Sequence, residues 1–131
     1  ALAKELGVGN RVKFLGRVDD KTLARCYADS DVVICTAEQT WGLVPIDAVA
    51  RGLAVITSTE TGVSEVFEDG KTGFVVPPRD PKAIAEKLNW IAGNPKKAAV
   101  MVSNAKAILR ELTIGRYIDR LVKEMSRVLK G

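Results

Sequence analysis

The sequence predicts an α/β fold: a parallel sheet of about four strands covered by helices, followed by a purely helical C-terminal segment. Three patterns carry that expectation. Four β-branched runs, Val12 to Leu15, Asp31 to Thr36, Ala54 to Ser58 and Phe74 to Val76, are nearly continuous in apolar residues, as strands buried on both faces should be. Helical patterns separate them, and the order β-α-β-α-β-α-β with short turns leads to parallel pairing. From residue 80 to residue 131 only helical periodicity remains. The 131 residues suit one domain of ordinary size.

Taken in order, Ala1 to Gly7 has helical composition but no capping residue before it, and Gly7-Val8-Gly9 reads as its terminator. Position 1 is alanine rather than methionine, so the expectation is a partial domain cut from a longer protein. Asp19 or Asp20 can cap a helix carrying Leu23, Cys26 and Tyr27. Thr40 can cap another that runs to Arg51, with Pro45 tolerated in its first turn. Asp80-Pro81 and Asn94-Pro95 each pair an N-cap with proline at the first helical position, and Gly93 is the expected stop between them. Ile84, Leu88 and Ile91 form the apolar stripe of the first C-terminal helix, and Ala98, Met101, Ala105, Ile108 and Leu112 that of the second. The third, capped by Thr113, has Ile114, Tyr117 or Ile118, Leu121, Met125 and Val128. Each stripe should cover something.

Composition removes several classes of function. Histidine is absent, which excludes Ser-His-Asp and Cys-His catalysis and the commoner zinc sites. Chemistry falls to carboxylates, hydroxyls, backbone amides and cations. No apolar run approaches the roughly 20 residues that cross a bilayer, and no secretory signal opens the sequence. Cys26 and Cys35 read as core residues of a reducing, cytoplasmic compartment. A net charge of +4 with 5% aromatic residues argues against nucleic acid as a partner.

Several motif matches fail on context. Gly70-Lys71-Thr72 resembles the end of a phosphate loop, but the first glycine of that pattern would fall on Glu65, and a strand follows where a helix is required. A tight turn explains it better. Asp29-Ser30-Asp31 has the D-x-D form of metal-dependent sugar transfer, yet it lies at a strand entrance, opposite the sheet end where α/β sites form. No metal site is expected. Arg116, Arg120, Lys123, Arg127 and Lys130 share one helix face, which suits either peripheral membrane contact or simple solvation. Asp119 and Glu124 interrupt the positive field and favour solvation.

The informative stretch runs from Glu38 to Ile56. A strand, a short loop with Thr40 and Gly42, then a helix would point the free amides of Gly42, Leu43 and Val44 into the crevice at the carboxyl end of the sheet. Such unpaired N–H groups favour phosphate. Asp47 lies one to one and a half turns further on, within reach of hydroxyls, and Thr59 to Glu65 forms a second polar loop at the same sheet end.

Four segments in this order resemble the C-terminal domain of retaining glycosyltransferases with the GT-B fold, which is Rossmann-like. They are V-x-F-L-G at Val12 to Gly16, Y-x-x-S-D-V at Tyr27 to Val32, the E-x₇-E segment ending in G-L-V-x-x-[ED]-A-x-A-x-G, and T-G-V-x-E-V-x-x-D-G-x-T-G-F at Thr61 to Phe74. The resemblance covers Ala1 to Asn94. It implies transfer of a sugar from a nucleotide-diphosphate donor with retention, and no cofactor or catalytic metal. By resemblance, Asp47 is the second E-x₇-E acid, which holds the ribose hydroxyls, and the first acid falls on Gln39. Gln39 can hydrogen-bond a sugar hydroxyl but supplies no negative charge, while Glu38 stands one position earlier. Amides of Trp41, Gly42, Leu43 and Val44 would meet the sugar and its diphosphate. Gly16, Arg17 and Val18 fall where the family's main chain contacts the base. Thr61, Gly62 and Glu65 match its G-G-x-x-E loop.

The same resemblance implies two β/α units, with a diphosphate-binding Arg and Lys, and an N-terminal acceptor domain, none of which these residues supply. In the implied strand order 3-2-1-4-5-6, Val12 to Leu15 and Asp31 to Thr36 are not neighbours, so open sheet edges and a homo-oligomer are expected. A degenerate, non-catalytic nucleotide-sugar module is the alternative reading, for which Gln39 argues.

Overall fold

A computed structural model describes residues 2–130, without the side chains of residues 129 and 130. Three strands, β1 (Val32–Cys35), β2 (Ala54–Ser58) and β3 (Phe74–Val76), form one parallel sheet in the order β1-β2-β3. Val32 pairs with Ala54 and Cys35 with Thr57, and Ile56 pairs with Phe74 and Ser58 with Val76. The central strand is buried along its whole length, which accounts for its uninterrupted Ala-Val-Ile-Thr-Ser run.

The expected first strand is not formed. Val12 to Leu15 joins no sheet, and Phe14 is 83% exposed. A strand needs a neighbour for its amides and carbonyls, and no described strand lies beside this run. The sheet therefore has three strands rather than about four, and Val12 to Leu15 does not neighbour β1.

The helices follow their caps more closely. α1 (Leu2–Glu5) ends in a Schellman arrangement, with Gly7 at φ +68°, its amide on the Lys4 carbonyl at 3.0 Å and the Val8 amide on the Ala3 carbonyl at 2.9 Å. α2 (Asp20–Ala28) is capped by Asp19, whose carboxylate accepts from the Thr22 amide at 2.7 Å. Hydrogen bonding from the Thr22 side chain, and then from its amide, holds the Asp19 pKa below its ordinary value. α3 (Val44–Ala50) begins later than expected. Leu43 occupies its N-cap without a side-chain bond, Pro45 lies in its first turn, and Thr40 remains in the preceding loop. α4 (Pro81–Gly93) is capped by Asp80 on the Ala83 amide at 3.0 Å and continues through Gly93. The stop is Asn94, whose side-chain amide donates to the Trp90 carbonyl at 2.9 Å. α5 (Pro95–Glu111) follows directly, and α6 (Ile114–Lys130) starts at Thr113, whose hydroxyl accepts from the Arg116 amide at 3.4 Å.

Helices cover both faces of the sheet. On one face Tyr27, Ala48, Val49, Val55, Val63, Phe67, Ala105 and Ile108 make a cluster, and on the other Ala54, Ile56, Phe74, Val76 and Met101 make a second. α5 supplies side chains to both. Each fully buried Val, Ile, Phe or Met contributes about 1.5–3 kcal/mol relative to exposure, so these clusters dominate the packing energy. Phe74 meets Trp90 edge to face at 5.2 Å between ring centres. α6 departs from expectation: its stripe of Ile114, Tyr117, Ile118, Leu121, Met125 and Val128 is exposed and covers nothing among the described residues. The turn at Glu68 to Thr72 is as expected, with Gly70 at φ +76° and Lys71 ion-paired to Glu68.

Candidate functional site

At the carboxyl end of the sheet two loops interlock. One, residues 36–43, leaves β1, and the other, residues 59–61, leaves β2 and enters a single 3-10 segment, Gly62–Val66. Gln39 and Thr61 form an isolated parallel bridge, in which the Gln39 amide donates to the Glu60 carbonyl at 3.3 Å and the Gly62 amide to the Gln39 carbonyl at 2.8 Å. Gly62 is required by close approach: a Cβ there would lie 1.7 Å from the Thr40 carbonyl oxygen. Gly42 is buried against Gln39, whose Oε1 would lie 2.6 Å from an added Cβ. The Gln39 side chain thus folds over the start of the turn into α3.

Among the described residues, no turn, loop or cap hydrogen bond uses the amides of Trp41, Gly42, Leu43 or Val44. These N–H groups are the donors the loop can offer an anion. Glu38, Gln39, Trp41, Leu43, Val44 and Asp47 are all exposed, so the arrangement is an open shelf. Asp47 stands in the first turn of α3, close enough to Tyr27 for its charge to act on the phenol. Burial and then the negative charge of Asp47 raise the Tyr27 pKa from its ordinary 10.0, partly opposed by Arg51. Arg51 lies over the Tyr27 ring at 4.8 Å.

The structure therefore brings together Glu38, Gln39, Trp41, Gly42, Leu43, Val44, Thr61 and Gly62, with Asp47 on the adjoining helix. Thr61 is placed differently from a ligand-facing residue. It is fully buried, and its hydroxyl lies 2.8 Å from the Ala37 carbonyl. Glu65 lies in the 3-10 segment and borders a cleft with Arg110, Glu111, Arg116 and Arg120. Gly16, Arg17 and Val18 lie in the irregular segment before α2, Gly16 at φ +60°, and among the described residues no hydrogen bond ties them to the two loops. Sequence reading missed Ser58, whose hydroxyl sits 3.3 Å from that of Thr61 and 3.4 Å from the Thr36 carbonyl. The run of hydroxyls Thr57-Ser58-Thr59 closing an apolar strand was the available signal.

The family model described as glycosyl transferases group 1 matches residues 1–108. The chain belongs to the glycosyl transferases group 1 family. It is 31% identical over 131 residues to an uncharacterized glycosyltransferase of Methanocaldococcus jannaschii, covering 98% of this chain and 33% of that protein. It is 34% identical over 116 residues to the D-rhamnosyltransferase WbpZ of Pseudomonas aeruginosa, covering 86% of this chain and 30% of that one. Among solved structures, Anabaena HepE in complex with UDP-glucose matches with a TM-score of 0.79 and 28% identity, over 95% of this chain and 35% of HepE. This group 1 chain spans about a third of the length of these relatives. The Rossmann-like α/β class expected from sequence is the class found.

Proposed function

We propose that this chain is the donor-binding part of a cytoplasmic glycosyltransferase that moves a sugar from a nucleotide diphosphate to an acceptor, with retention and without a catalytic metal. The observation that carries this reading is the interlocked pair of loops at the carboxyl end of a parallel sheet, in a member of the group 1 family. There, unpaired amides on the exposed residues Trp41, Leu43 and Val44 offer backbone donors to a ligand, and the buried Gly42 has an unpaired amide beside the Gln39 side chain. The binding of UDP-glucose by HepE supports a nucleotide sugar as the donor. Amides of Gly42, Leu43 and Val44 stabilise the charge that develops on the departing diphosphate. Asp47 accepts from ribose hydroxyls, and Gln39 hydrogen-bonds the sugar. Glu38 is the nearest carboxylate in sequence that can face positive charge at the anomeric centre. The other two-thirds of the protein supply the acceptor site, and biosynthesis of a polysaccharide or glycolipid is the setting such a reaction fits.

Titration calorimetry of the full-length gene product with UDP, GDP and ADP sugars tests this. Binding of one of them tighter than millimolar is expected, and no binding by any defeats it. Asp47→Ala is expected to weaken that donor by about 1–3 kcal/mol, the scale of a lost hydrogen bond to a charged group. Unchanged affinity removes Asp47 from the site. Gln39 at the first acid position favours a second reading, a nucleotide-sugar-binding module without turnover. Tight donor binding with neither transfer to any acceptor nor donor hydrolysis would favour that module.

A further inference from the structure

Beyond Cys35 the chain leaves the ladder of β1, and its next carbonyls need partners. Two hydroxyls lie against them, one at the end of β2 and one in the loop that follows it. Thr61 Oγ1 lies 2.8 Å from the Ala37 carbonyl and 3.3 Å from the Cys35 carbonyl, and Ser58 Oγ lies 3.4 Å from that of Thr36. Thr61 is 0% exposed, so its hydroxyl has no water to exchange for these bonds. One residue on, Gly62 donates to the Gln39 carbonyl and packs beneath that of Thr40. The side-chain clasp at Ala37 and the backbone bridge at Gln39 hold the first half of the same loop at two points.

We propose that Thr61 is a positioning residue of the donor site, one that touches no ligand through its side chain. Its hydroxyl fixes the exit of β1 and thereby sets where Gln39 and the amides of residues 41–44 stand. This rests on the donor-site reading above. Valine at 61 preserves the shape of threonine but removes the bond that ties the exposed Ala37 carbonyl inward and the donor beside the buried Cys35 carbonyl, so the loop is released at its exit from β1. Serine keeps the donor. A residue acting only through packing would respond in the opposite order, tolerating valine and suffering from serine.

Trp41 lies within the held loop and reports its position. In full-length protein carrying Trp90→Phe, Trp41 emission, taken as the difference from the same protein with Trp41→Phe, is compared among threonine, Thr61→Ser and Thr61→Val. UDP-glucose, or whichever nucleotide sugar the wild-type protein binds best, is titrated in parallel. Thr61→Val is expected to shift Trp41 emission and weaken the donor about tenfold, roughly one hydrogen bond, with Thr61→Ser close to wild type in both. Wild-type emission and affinity in Thr61→Val would overturn the proposal. A shifted Trp41 in a protein that binds no nucleotide sugar would overturn the donor reading and uphold the loop-holding role. Should Thr61→Val not fold, Thr61→Ala beside Thr61→Ser decides. A shifted Trp41 and a weakened donor in alanine with serine close to wild type support the clasp, and alanine and serine alike in both readouts overturn it.

Discussion

Thr57 is the residue whose chemistry fits its surroundings least. It is fully buried on the central strand, and its hydroxyl has no hydrogen-bond partner among the described residues. An orphaned buried hydroxyl costs about 1–3 kcal/mol of desolvation, whereas a methyl of the same shape costs none. Thr57→Val is therefore expected to stabilise the protein by about 1 kcal/mol, read as a raised denaturant midpoint at unchanged slope. Tyr27 gives the second residue-scale expectation. Its folded pKa stands above the ordinary 10.0, chiefly because burial disfavours the phenolate and then because Asp47 is negative. A raised folded pKa means that the folded state holds the proton longer than the unfolded chain. The contribution is complete below pH 10 and is lost as pH rises through the raised value. Tyr27→Phe should therefore lose less stability than wild type between pH 9 and pH 11, as measured by urea midpoints.

The elements differ in how much of their position was written in local residues. Asp19, Asp80 and Thr113 cap α2, α4 and α6 as the sequence implies, because an N-cap bond involves only residues two or three apart. Asp80→Ala should cost about 1 kcal/mol, measured by thermal melting, through loss of its bond to the Ala83 amide. Thr40 carries the same signal and does not cap α3. Its loop is committed to Gly62 and Glu60, twenty or so positions away, and that tertiary contact outweighs the local preference. Val12 to Leu15 fails for a related reason: Val12 and Phe14 fit a strand, but strand formation depends on a partner that propensity does not report. At the candidate site, the glycine-bearing turn and the second loop were legible from Gly42 and Thr61-Gly62. That Thr61 faces inward was not, since burial at a loop depends on how two distant loops meet.

For the whole molecule, two surfaces stand open. Ile34 on the edge strand β1 is 44% exposed, and the α6 stripe is uncovered from Ile114 to Val128. Three of the cations on the opposite face of α6 are engaged, Arg116 and Arg120 with Glu111, and Arg127 with Glu124. Such exposed pairs contribute at most about 1 kcal/mol each, too little to offset an unburied stripe of this size. The 131-residue chain alone should therefore self-associate, and Leu121→Glu with Met125→Glu should shift it towards monomer. Light scattering at micromolar concentration checks both, and a monomeric mass for the unmodified chain would sink the idea.

α5 has a consequence of a different kind. Ala105 and Ile108 belong to the cluster on one face of the sheet, while Met101 belongs to the cluster on the other. Both hydrophobic clusters therefore hang on a single rigid rod of 17 residues. Loosening the packing on one face tilts the helix that closes the other, so the faces cannot melt in separate steps. Unfolding is therefore expected as a single transition, with a defect near the candidate site felt at Trp90, and coincident melting of tryptophan emission and circular dichroism checks it.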